Sequence, residues 1–157
     1  LIAGAEAAGF DPDRFTPERV ATSFPLSVSA PEPDDRGRTR LVAGDPPGGM
    51  LALLHGDVRL YETSRIAPVI LPCPLVQRVR LDLPDDGRIV TLPEPREVAN
   101  AAGRFTLTVR RDGDRVTIER KISIGTPAIA AADWPLLRAL LLEEADAANR
   151  TVILGGA

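Results

Sequence analysis

GRFTLTVRRDGDRVTIERKISIG, residues 103 to 125, is the stretch from which the rest of the chain can be read. Apolar side chains alternate along its first limb, at Phe105, Leu107 and Val109, and again along its second, at Val116, Ile118, Ile122 and Ile124. Between the limbs stands Asp112-Gly113, a dipeptide suited to the positive φ angles of a two-residue type I′ turn. With those two residues as the loop, Arg111 faces Asp114, Val109 faces Val116 and Leu107 faces Ile118. One face of the ribbon is then apolar, and the other carries Thr108 opposite Thr117 and Thr106 opposite Glu119. Because side chains alternate with period two, register and pattern must agree, and here they do. Arg120 is the exception, falling opposite Phe105 on the apolar face. Either the open end of the ribbon is solvated there, or Arg120 is a buried cation that requires an acidic partner.

Working outward, the preceding segment LVQRVRLDL puts Leu75, Val79, Leu81 and Leu83 on one face, with Arg78, Arg80 and Asp82 on the other. PDDG, 84 to 87, turns the chain, and RIVTL is expected to return against it, with Leu81 opposite Val90 and Val79 opposite Leu92. Further upstream, RTRLVAG (38 to 44), GMLALLHG (49 to 56) and DVRLYET (57 to 63) read as strands. DPPGG separates the first two, and a type II′ turn at Gly56-Asp57 would set Leu53 opposite Leu60. Pro68, Pro72 and Pro74 confine their segment to an edge strand or an extended crossing. Residues 1 to 24 are helical in parts, with Thr16-Pro17 as an N-cap and first-turn pair, and the Pro-rich stretch to Gly37 reads as a linker.

Past Gly125 the apolar period changes from two to that of a helix. Asp133 stands at the N-cap, Trp134 and Pro135 in the first turn, and Trp134, Leu137, Leu140, Leu141, Ala145 and Ala148 form one stripe. Glu143, Glu144 and Asp146 fall mostly on the other side, and Asn149 is positioned to cap the C-terminus. The expectation is a helix over about 134–148 and a short final strand at 151–154. The fold class that results is mainly β: an antiparallel β-sandwich, residues 38–157, with one amphipathic helix near its C-terminus, preceded by a partly helical extension at 1–37.

The totals agree with one such domain. At 157 residues the chain can bury a real core, and with 44% hydrophobic but only 4% aromatic residues that core must be aliphatic. Fifteen Pro and thirteen Gly suit short strands joined by turns. A net charge of −3 supplies no global attraction to nucleic acid. Lys121 is the sole lysine; the arginines are interleaved with acids along the chain, which fits an overall compositional bias better than a phosphate-binding patch. No apolar run approaches the ~20 residues of a membrane span.

Side chains with chemical potential are few. Cys73 and His55 are the only thiol and imidazole, so neither an internal disulfide nor a thiolate zinc cluster can form. A hydrolase or acyltransferase using Cys73 as nucleophile and His55 as base, oriented by Asp57, is conceivable as chemistry. Pro74, however, holds Cys73 extended rather than at an activating helix N-terminus, and His55 sits beside a turn, so both read as structural. The carboxylate pairs Asp34-Asp35, Asp85-Asp86 and Glu143-Glu144 lie in a linker, in a turn and on a helix flank. Asn149-Arg150-Thr151 matches a glycosylation sequon, but its place after the helix favours a cap. No phosphate-binding glycine loop is present. The residues by themselves assign no catalytic, cofactor-binding or metal-ligating position.

The order of elements does resemble a known family. LALLHG, ETSRIAPVIL, LDLPDDGRIVTLPEPREV, the 103–125 hairpin and IAAADWPLLRALLLEEADAANRTVIL follow one another as in the C-terminal region of large bacterial transglutaminase-like proteins. The matching pieces are Arg65-x-x-Pro68, Leu83-Pro84, Leu92-Pro93, Arg120-Lys121, and Asp133-Trp134 followed by a Leu-rich helix and short strand, spanning residues 48 to 154. In that family a papain-like transglutaminase core is followed by a β-sandwich of unknown function. The resemblance implies a non-catalytic accessory domain, with the core of the same polypeptide as partner and an exported, envelope location. The family's Cys, His and Asp have no matching motif in this chain, which, starting at Leu1, reads as part of a larger protein. A free peptide- or glycan-binding β module is the alternative reading.

Overall fold

In the computed structural model, residues 32–42, 58–71 and 75–155 are described. The helical segments expected in 1–24, the strand expected at 49–56, and Cys73, His55 and Asp57 lie outside them. All described residues belong to one unit, Glu32–Ala157.

The largest element is a four-stranded antiparallel sheet in the order β3-β7-β6-β5, formed by β3 (Leu75–Pro84), β5 (Arg96–Asn100), β6 (Gly103–Asp112) and β7 (Arg115–Ile124). The hairpin of residues 103–125 is its centre, β6 with β7. Its inner face holds Phe105, Leu107, Val116, Ile118, Ile122 and Ile124, all at most 4% exposed. The outer face is polar and open, as expected of an antiparallel sheet with one face packed.

The turn corrects the expected register. The loop residues are Gly113 and Asp114, so that Asp112 pairs with Arg115, Val109 with Ile118 and Leu107 with Arg120. Gly113 has φ +58°, and it alone in the turn is positive, as a type II′ turn requires of its first central residue. A type I′ turn at Asp112-Gly113 would have forced Asp112 to positive φ as well, whereas II′ confines it to the glycine. Each partner moved by two residues, so parity was kept and the inward set did not change.

The second correction concerns β3. It does not pair with RIVTL. It runs beside β7 for ten rungs, from Leu75 opposite Ile124 to Pro84 opposite Arg115. β4 (Ile89–Thr91) instead joins a three-stranded sheet, β1-β9-β4, with β1 (Thr39–Val42) and β9 (Thr151–Leu154). The PDDG turn forms, with Gly87 at φ +83°, but it sends the chain into another sheet. Its backbone is tied to the hairpin tip by Asp85 N–H donating to the Asp114 carbonyl at 2.7 Å. Ten rungs against an Ile-rich central strand bury more than three rungs against a mostly exposed one, and this outweighs the shorter loop.

A third sheet is the two-residue pair of β2 (Val69–Ile70) with β8 (Ala128–Ile129), the short strand that the prolines of 68–74 permit. Residues 58–63 form no strand, against expectation; they turn, with Glu62 N–H bonded to the Arg59 carbonyl.

Helix α1 runs Trp134–Ala145 and covers β6 and β5. Trp134, Leu137, Leu140 and Leu141 are fully buried, each worth about 1.5–3 kcal/mol of transfer free energy. Asp133 occupies the N-cap without a side-chain hydrogen bond. The helix stops three residues earlier than expected. Asp146 becomes extended and caps a separate 3₁₀ turn at Ala147–Asn149, so Ala148 is exposed rather than part of the stripe. Val152 of β9, 1% exposed, joins the core beside the large sheet. The second layer of the sandwich is thus part helix and part small sheet.

Candidate functional site

Arg120, a polar residue in the middle of the apolar face of the hairpin, is buried, at 4% exposure, between Leu107 of β6 and Val79 of β3. Its acidic partner is Glu144, also 4% exposed, with Nη2 and Oε1 4.0 Å apart. Glu144 therefore does not lie on the solvent side of the helix, as the sequence reading had it. It continues the buried line of Trp134, Leu137 and Leu141, at spacings of three and four. The signal was available in that spacing, but the charge concealed it.

Glu143 and Glu144 stand in the last turn of α1, where the helix dipole disfavours negative charge. Three arginines from different parts of the chain offset this. Arg96 of β5 reaches Glu143 at 2.7 Å, Arg120 of β7 faces Glu144, and Arg150, past the helix, donates to the Ala145 carbonyl. Asn149 donates Nδ2 to the Glu143 carbonyl at 2.8 Å and to its Oε2 at 3.2 Å. Asn149 is thus not the C-cap residue, a place that Asp146 takes; it is buried at the end of the 3₁₀ turn, 6% exposed, and its side-chain amide reaches back to a last-turn carbonyl, engaged where a glycan would attach.

Two recesses border Arg120. One is lined by Val79, Leu81, Ile118 and Val152, the other by Gln77, Val79, Phe105 and Glu144. Each has a volume of about 10 Å³, room for one water molecule at most. The cluster can hold the helix end in one position over the sheet. Among the described residues, neither recess beside it has room for a substrate.

A second polar construction joins two sequence motifs distant in the chain. Arg65, from Arg65-x-x-Pro68, lies over the Trp134 ring at 5.2 Å to its centroid and pairs with Glu62 at 3.7 Å. Trp134 Nε1 donates to the Glu62 carbonyl at 2.8 Å, and Arg138 Nε to the Leu60 carbonyl at 2.6 Å. The indole is thereby satisfied on its polar edge and stacked by a cation on its face. At the other side of the helix, Asn100 Nδ2 donates to the Leu136 carbonyl at 2.9 Å.

Members of the three carboxylate pairs are engaged by separate partners. Asp34 accepts from the backbone N–H groups of Arg38 and Arg36 and from the Arg38 guanidinium, which hold its carboxyl below the usual range. Asp86 is held low chiefly by the Arg88 guanidinium, and Asp85 faces Arg111 at 3.6 Å. Glu143 and Glu144 turn to different partners. Among the described residues no group of three potential metal ligands occurs, and no helix is long and apolar enough to cross a membrane.

Among solved structures, the chain is similar to a crystal structure of a Parabacteroides distasonis protein described as a "putative protease". The identity is 18% at a TM-score of 0.63, covering 78% of this chain and 24% of that one. The chain thus spans about a quarter of that protein's length, and the likeness is one of fold. No curated protein matches the chain. The family model DUF3858, a domain of unknown function with a solved structure, matches residues 52–154, two-thirds of the sequence, and the chain belongs to that family.

Proposed function

We propose that this chain is a non-catalytic accessory β-sandwich of a larger, transglutaminase-like polypeptide of the bacterial envelope. It packs on the papain-like core that precedes it and shapes access to the core's cleft. The observation that carries this reading is one of proportion: 78% of this chain corresponds to 24% of a protein described as a "putative protease", so there the fold is one module of a longer chain. The ordered motifs of the resemblance support it, and so does the interior cluster, whose arginines and glutamates are used in holding α1 on the sheet.

The test is to mix the chain with the separately produced core of its native polypeptide. Co-elution, and a rise in the core's melting temperature, are expected. Absence of both would remove the docking role.

A further inference from the structure

We draw no further inference here: the strongest candidate, the apolar surface that Tyr61, Ile66 and Ile70 expose along the 58–71 segment packed against the start of α1, carries nothing because nothing in the structure shows what covers it.

Discussion

Glu144→Gln removes the charge that faces Arg120 and leaves the guanidinium in an interior with one polar amide in place of a carboxylate. The side chains are 5% and 6% exposed, so solvent screening offers little relief to either. At 4.0 Å the attraction between them is about 4 kcal/mol at an effective dielectric of about 20. Desolvating each ion costs several kcal/mol, so the intact pair sits near balance, but removing one member leaves the other uncompensated, at about 3–5 kcal/mol. The long separation and a recess with room for a water put this site at the lower end, about 3 kcal/mol. That is a large share of the ~5–15 kcal/mol that stabilises a typical domain. Urea denaturation followed by fluorescence of Trp134, the sole tryptophan, measures it directly. The companion variant replaces both members, Arg120→Leu with Glu144→Leu. Leu107 and Val79 flank Arg120, so a leucine there extends an aliphatic row, and the double variant is expected within about 1 kcal/mol of the parent or above it. A loss below about 1 kcal/mol for Glu144→Gln, or a double variant no more stable than the single one, would refute the description of this site as a closed interior ion pair.

Two glycines of the central hairpin should respond differently to alanine. At Gly113 a Cβ meets nothing within 4 Å, so Gly113→Ala should cost only the backbone strain of φ +58°, about 1–3 kcal/mol by denaturation. At Gly103 a Cβ would lie 2.0 Å from the Ser123 carbonyl oxygen, so Gly103→Ala must displace β7 and should cost about 3 kcal/mol or more; equal losses at both sites would contradict this geometry. Arg65→Ala should lose about 1–2 kcal/mol and shift the Trp134 emission, since the cation over the indole is removed; an unchanged spectrum would count against the stacking. The Thr117 hydroxyl, followed by the Arg80 guanidinium, holds the Asp82 carboxyl below its usual range. A carboxyl lowered in the folded state contributes stability above its unfolded pKa of about 3.9, and that contribution is lost as pH falls through the folded value. Thr117→Val should therefore raise the Asp82 midpoint in an NMR titration and lessen the acid sensitivity of folding, and an unmoved midpoint would exclude the hydroxyl as the main cause.

The candidate site was legible in part. Arg120 on an apolar face left two readings, a solvated open end of the ribbon or a buried cation with an acidic partner, and the second is the one the structure holds, because an interior cation without a counter-charge is too costly. Which acid it was could be read from helical spacing, since Glu144 falls in line with Leu141, Leu137 and Trp134, yet its charge placed it outside in the sequence reading. The meeting of Arg65 with Trp134 had no local signal at all. Two resemblance motifs separated by some seventy residues touch only because the 58–68 segment folds back onto the start of α1.

By itself the sequence determined which apolar side chains point inward along β3, β6, β7 and α1, though not Glu144 beside them, because side-chain direction follows from backbone geometry and repeats every two or 3.6 residues. It also determined that residues 103–125 form a hairpin, and the parity of that hairpin survived a register two residues from the expected one. Strand partnership belonged to the tertiary structure. β3 had a near neighbour in RIVTL and took β7 instead; β4 went to β9, sixty residues away in the chain. Alternation tells a strand which face to bury, but several strands can satisfy the same alternation. The choice among them falls to the pairing that buries the most apolar surface across the whole domain.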